Sequence, residues 1–156
     1  ANDWRKRRFS ERVVRAFFNA VSGKRIAVLG FAFKKDTNDT RESPAIQVCK
    51  DLLGERSSLA IYDPKVSPAQ IRADLSITED EPAVSFADSA FAAASGAHAL
   101  LILTEWDEFR DLDFEAIFQS MIKPAWIFDG RCLRDHAKLR QIGFKVYSVG
   151  KPLPNN

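Results

Sequence analysis

The sequence predicts an α/β fold: a doubly wound parallel sheet of about six strands, order 3-2-1-4-5-6, preceded by an N-terminal helix. Three observations predict it. Short apolar runs at 25–30, 59–62, 84–86, 99–103, 125–128 and 145–149 alternate with stretches of helical character along the chain. Those runs read as strands buried on both faces, which is how parallel strands read. Right-handed crossovers then leave a doubly wound sheet as the simplest topology, with its switch point between the first and fourth strands.

The elements follow in order. In residues 2–21, Phe9, Val13, Ala16, Phe17, Ala20 and Val21 keep a helical period while Arg12 and Arg15 fall off it, and Ser22-Gly23 ends the helix. The basic run Arg5-Lys6-Arg7-Arg8 reads as a solvated helix face, being too short for a convincing nucleic-acid patch. The apolar stripe of this helix needs a partner, either a dimer face or another domain. Residues 24–43, KRIAVLGFAFKKDTNDTRES, begin with the first strand, closed by Gly30. Ser43 is a good N-cap and Pro44 suits the first helical position; Ile46, Cys49, Leu52 and Leu53 share a face, and Gly54 supplies a stop. The loop between, 31–42, exceeds the usual βα connection of about 2–6 residues, and long loops of this kind are often functional. It holds Lys34, Lys35, Asp36, Asp39, Arg41 and Glu42 beside Phe31 and Phe33.

The second strand ends in Asp63-Pro64, which has two readings. Asp63 holds a ribose hydroxyl, as an acid at that place does in nucleotide-binding folds, or it simply starts a turn; the turn is preferred. Residues 67–75 read as a short helix, 76–82 as an acidic loop and 84–86 as an edge strand. Asp88 is expected to cap an alanine-rich helix that ends near Gly96. The fourth strand runs into Thr104-Glu105-Trp106-Asp107. A helix at 112–121 is broken by Pro124. The fifth strand ends in Asp129-Gly130-Arg131. Residues 136–142 are helical until Gly143, and 150–156 form a tail.

In this topology the ends of strands one, four and five surround one crevice. They bring Phe33, Lys34, Arg41, Glu105, Trp106, Asp129 and Arg131 towards each other, and cations there suit a diphosphate. The first strand ends in G-F-A-F rather than G-x-G-x-x-G. Without the later glycines a backbone cannot approach a pyrophosphate in the usual way, so a Rossmann-like sheet is expected without NAD held wholly by it. With 46% hydrophobic and 28% charged residues, the 156-residue chain fits a globular domain rather than a disordered one. A net charge of +2 is too mild to argue for nucleic acid, and no apolar stretch is long enough to span a membrane. Cys49 and Cys132 have no metal spacing and suggest a reducing compartment, read as cytoplasmic; Cys49 lies on a buried stripe, as a packed thiol. His98 and His136 have no metal-ligand spacing either. A chain that begins at Ala1 rather than Met is expected to be a processed or excised piece.

Residues 30–43, GFAFKKDTNDTRES, resemble the signature of the nucleotide-sugar 6-dehydrogenases. IYDPKV (61–66), LTEWDEF (103–109) and FDGR (128–131) look like the UDP-glucose branch of that family, and NDWRKRRF (2–9) is similar to the end of its long central helix. The resemblance implies that residues 1–22 end a dimer-forming central helix and that 23–150 form the C-terminal nucleotide-sugar domain. The NAD-binding domain, which carries most of the cofactor contacts, and the rest of the central domain would lie outside this chain. The family oxidises UDP-glucose to UDP-glucuronate in two NAD-dependent hydride transfers through a catalytic cysteine, and its members are homo-oligomers. By motif match, Phe33, Lys34 and Arg131 would contact the substrate and Arg41 would reach the NAD. The cysteine motif has no match here, so no catalytic residue and no metal site is assigned, and the chain alone is expected to be inactive.

Each assignment has a plainer rival. Lys34 and Lys35 are also ordinary surface charge, Arg41 also orders its loop by pairing with Asp39 or Glu42, and Trp106 also caps the sheet edge. At the level of function, the alternatives are a non-catalytic UDP-sugar-binding or dimerisation module, and the same domain of a GDP-mannose dehydrogenase.

Overall fold

The computed structural model describes residues 21–131 and 135–148, together with residues 11, 13 and 15. Six parallel strands form one sheet in the order β3-β2-β1-β4-β5-β6. The strands are β1 (Arg25–Leu29), β2 (Ser58–Tyr62), β3 (Val84–Phe86), β4 (Ala99–Ile102), β5 (Trp126–Asp129) and β6 (Lys145–Ser148). The predicted order is therefore the observed one, and the chain reverses direction across the sheet between β1 and β4. The central strands are apolar because both faces are covered: Ile26 to Leu29 and Ala99 to Ile102 are all buried.

The connecting helices are α1 (Pro44–Gly54), α2 (Pro68–Leu75), α3 (Ala90–Ala94), α4 (Asp107–Arg110), α5 (Phe114–Ser120) and α6 (His136–Ile142). Ser43 caps α1 by accepting the Ala45 N–H, with Pro44 in the first turn, and α1 buries Ala45, Val48, Cys49 and Leu52. Ile46 and Leu53 lie at the margin of that stripe, partly buried. Gly54 is the last helical residue; the stop comes at Glu55, whose N–H donates to the carbonyls of Asp51 and Leu52.

One expectation needs correction, and one element was not foreseen. The cap of the alanine-rich helix is Ser89, which accepts the Ala92 N–H, and not Asp88. The helix expected at 112–121 is α5, and the short turn Asp107–Arg110 ahead of it was not expected. Asp113 accepts the Ala116 N–H and so starts α5 there. A side-chain oxygen that captures a helix N–H decides where the helix begins, and two adjacent polar candidates cannot be ranked by type alone. Residues 11, 13 and 15 are helical, with Val13 buried and Glu11 and Arg15 exposed, in keeping with the predicted stripe. The remainder of that helix, the basic run, Cys132 and the tail lie outside the described residues.

His98 joins the N-terminal ends of β1 and β4. Its Nδ1 accepts the Arg25 N–H at 3.1 Å. Partial burial, with Lys24 nearby, pushes its pKa below the usual histidine value. The folded state thus binds the proton less readily than the unfolded chain. Its stability is full above the ordinary histidine pKa and falls as pH drops through that value towards the folded one. His98→Asn keeps an acceptor for Arg25 and removes the titration. The thermal midpoint of this variant should fall less between pH 7 and pH 5 than that of the parent; equal slopes would exclude His98 as a source.

Candidate functional site

The site grows from the exit of β1. Gly30 donates its N–H to the Tyr62 carbonyl at 2.8 Å and has φ +94°, a left-handed conformation natural only to glycine. A Cβ there would lie 2.5 Å from the Thr104 side chain. The chain then enters the long loop, and its first two residues are held on every polar atom. The N–H groups of Phe31 and Ala32 donate to Asp63 Oδ2 at 2.7 and 2.9 Å. The Phe31 carbonyl accepts from Ser43 Oγ at 2.8 Å, and the Ala32 carbonyl from Thr104 Oγ1 at 2.9 Å. Ser43 and Thr104 are buried.

The Phe33 N–H donates to the Asp39 carbonyl at 2.8 Å, which closes an inner loop. Inside it, Asp36 takes φ 63°, and the Asp39 N–H donates to Thr37 Oγ1 at 3.1 Å. Arg41 grips Asp39 with a fork: Nε donates to Oδ1 at 3.0 Å and Nη2 to Oδ2 at 2.9 Å. The hydrogen bonds from Arg41 bring the Asp39 carboxyl down to about 2. Lys35 Nζ reaches Asp107 Oδ1 on α4 at 3.0 Å, and this hydrogen bond raises the lysine pKa. Against this restrained frame Phe33 is 43% exposed, large for a phenylalanine, and Lys34 is exposed beside it.

The other wall comes from β4 and β5. Trp106 is buried and donates its indole N–H to Asp63 Oδ2 at 3.1 Å. Tyr62 donates its hydroxyl to Glu108 at 2.8 Å; burial first, then Glu108, push it up to about 12. Asp129 is fully buried, accepts the Arg131 N–H at 3.0 Å and meets His136 Nε2 at 2.9 Å. The Arg131 Nε donates to the Leu103 carbonyl at 2.9 Å, so its side chain crosses from the end of β5 to the end of β4.

Phe33, Lys34, Arg41 and Arg131 therefore all lie at the carboxyl ends of β1 and β5, which flank β4, where open α/β sheets bind ligands. The cations differ in their commitments. Lys35 is engaged with Asp107 and Arg41 with Asp39, so the ordering role expected as a rival for Arg41 is present. Asp63 corrects the ribose reading: five N–H groups converge on its carboxylate, from Phe31, Ala32, Lys65, Val66 and Trp106. Trp106 does more than cap an edge. Sequence reasoning missed this convergence, because its partners come from as far as 43 residues from Asp63.

The same geometry tests the fit of a dinucleotide. In an ordinary Rossmann turn the first N–H groups after β1 face the pyrophosphate. Here those of Phe31 and Ala32 are taken by Asp63, and the Cβ position of Gly30 is filled by Thr104. This turn does not fit a dinucleotide pyrophosphate. Cys49 is fully buried, and burial pushes its thiol pKa far up, which suits a packing role and not a nucleophile. Among the described residues there is no group of three or more His, Cys, Asp or Glu side chains placed to hold a metal, and no helix long and apolar enough to cross a membrane.

Comparison with known proteins accounts for this arrangement. Residues 27–136 match the model of the UDP-glucose/GDP-mannose dehydrogenase family, UDP binding domain. The chain is 55% identical to UDP-glucose 6-dehydrogenase 5 of Oryza sativa, over 97% of its own length and 35% of that protein. It is 55% identical to the UDP-glucose 6-dehydrogenase of Drosophila melanogaster, over 96% of its length and 33% of that protein. It thus spans about a third of the curated relatives it matches. Among solved structures, the fold is shared with a UDP-glucose dehydrogenase from Pyrobaculum islandicum at a TM-score of 0.71 and 22% identity, covering 95% of this chain and 30% of that one. A UDP-D-ManNAc dehydrogenase from Pyrococcus horikoshii gives 0.68 at 28% identity, covering 90% and 28%. On the family match over residues 27–136, within a six-stranded Rossmann-like sheet, the chain belongs to the UDP-glucose/GDP-mannose dehydrogenase family.

Proposed function

We propose that the chain is the C-terminal, nucleotide-sugar-holding part of an NAD-dependent UDP-glucose 6-dehydrogenase, with Phe33, Lys34 and Arg131 on the substrate. One observation carries the reading. The loop after β1 is locked by buried polar groups yet presents an exposed aromatic ring and a lysine at the carboxyl end of the sheet. A rigid backbone with projecting apolar and cationic groups is what a nucleotide sugar needs: the ring offers an apolar face and the cations meet the diphosphate. Arg131, anchored through Nε, supplies the planar guanidinium suited to phosphate oxygens. The substrate is taken as UDP-glucose because the relatives that match at 55% identity are named for it.

NAD is the hydride acceptor of the reaction and is carried by the part of the enzyme outside this chain. Arg41, whose side chain is 88% exposed, reaches it from the loop edge. The oxidation also needs a nucleophile from elsewhere, since the cysteine described here is buried, so the chain alone is inactive. Residues 1–22 end the central helix through which the full enzyme forms its homo-oligomer.

The test is steady-state kinetics of the full-length dehydrogenase with Lys34→Ala and Arg131→Ala. Losing one charge-assisted phosphate contact costs about 1.5–3 kcal/mol, so each variant should raise KM for UDP-glucose roughly 10- to 150-fold. Parental KM and kcat in both variants would refute the site.

A further inference from the structure

We infer that Asp63 is a positioning residue for the nucleotide sugar: its carboxylate sits where a dinucleotide pyrophosphate would, and thereby sets the loop that presents Phe33 and Lys34. This rests on the substrate-site reading above and goes one step beyond it. The N–H groups that leave the first strand of a nucleotide-binding sheet form an anion cradle. In this chain the cradle is filled from within. Oδ2 takes the N–H groups of Phe31 and Ala32 at 2.7 and 2.9 Å and the Trp106 indole at 3.1 Å. Oδ1 takes those of Lys65 and Val66 at 2.8 and 3.0 Å.

All five partners are donors, so only a group with acceptors on both sides fits. An asparagine would have to aim its NH2 at two or three N–H groups. The carboxylate also ties three strand exits into one unit: the Phe31–Ala32 segment after β1, its own turn after β2, and Trp106 after β4. Phe33 is the next residue after Ala32, with no slack between clamp and ring. Two consequences follow from one side chain. The turn is closed to a second dinucleotide, and the loop is preorganised, so ordering it is not charged against substrate binding.

The experiment compares the full-length parental enzyme with Asp63→Asn, Lys34→Ala and Trp106→Phe, reading kcat and both KM values. Asp63→Asn should raise KM for UDP-glucose by about tenfold or more while KM for NAD stays within about twofold and kcat within about threefold. A role in stability alone would lower the amount of folded enzyme and leave KM unmoved. Trp106→Phe removes one donor to the same oxygen and should raise the same KM several-fold, which keeps the inference testable if Asp63→Asn does not fold. In Asp63→Gly the cradle is bare, and added formate should lower the raised KM back towards the parental value. If Lys34→Ala raises KM while the Asp63 and Trp106 variants match the parent, the positioning role is wrong and the site stands. If Lys34→Ala also matches the parent, the substrate-site reading itself has failed.

Discussion

Gly30→Ala should leave little folded protein, with a stability loss above about 4 kcal/mol in urea unfolding. A non-glycine residue in this backbone conformation is strained by about 1–3 kcal/mol before any contact is made. At φ +94° the new methyl would also lie 2.5 Å from the Cβ and Oγ1 of Thr104 and 2.7 Å from its backbone nitrogen. Side-chain rotation cannot relieve a clash with backbone. Moving Thr104 away would break its bond to the Ala32 carbonyl and displace the end of β4, which pairs with β1 from Ile26 to Leu29. Losses of that size come from few mechanisms, and strain at a special backbone angle joined to overpacking is among them. A loss below about 1 kcal/mol would mean that the two strand exits separate freely, contrary to the packing described.

Phe128→Ala is the second large effect, at about 3–5 kcal/mol, the usual range for emptying a phenylalanine site in a core. Phe128 is fully buried on β5 and belongs to an aromatic cluster, stacked on Tyr147 of β6 at 5.2 Å, which also stacks on Trp126 at 5.5 Å, and facing Trp126 of its own strand at 6.3 Å. Such ring pairs add about 0.5–1.5 kcal/mol beyond the area they bury. Tyr147 is 39% exposed, so the outer edge of the cluster is open and can relax towards the gap, which favours the lower half of the range of about 3–5 kcal/mol. Phe128→Leu should recover more than half of the loss. The measurement is the urea midpoint of each variant; equal midpoints for the parent and Phe128→Ala would show that β5 and β6 repack around the gap.

Gly30 and Phe128 both belong to stretches singled out by resemblance, GFAF and FDGR, and in both the structure divides labour residue by residue. Gly30 and Phe31 build the turn, while Phe33 and Lys34 project from it. Phe128 and Asp129 hold β5 and its exit, while Arg131 reaches across to β4. A motif read in one dimension marks the whole stretch as functional. Burial separates the residues that make the frame from those that project at the carboxyl end of the sheet.

The amino-acid sequence by itself determined the sheet. Apolar runs such as IAVL and ALLI are too short for helices and too apolar for a surface, so burial between helices and right-handed crossovers make a doubly wound order the simplest one. It also determined α1, because Ser43 and Pro44 act through local backbone bonds. What only the tertiary structure decided is which polar side chain serves which backbone group. Asp88 and Ser89 are equally plausible caps until the chain path selects one. Asp63 is a turn residue until Phe31, Ala32 and Trp106 arrive, from as far as 43 positions away, with N–H groups that have no water to turn to. Local preferences are encoded within a few residues and can be read there. Pairing of buried donors and acceptors is settled only when distant segments meet, because the cost of leaving one unpaired exists only once water has been excluded.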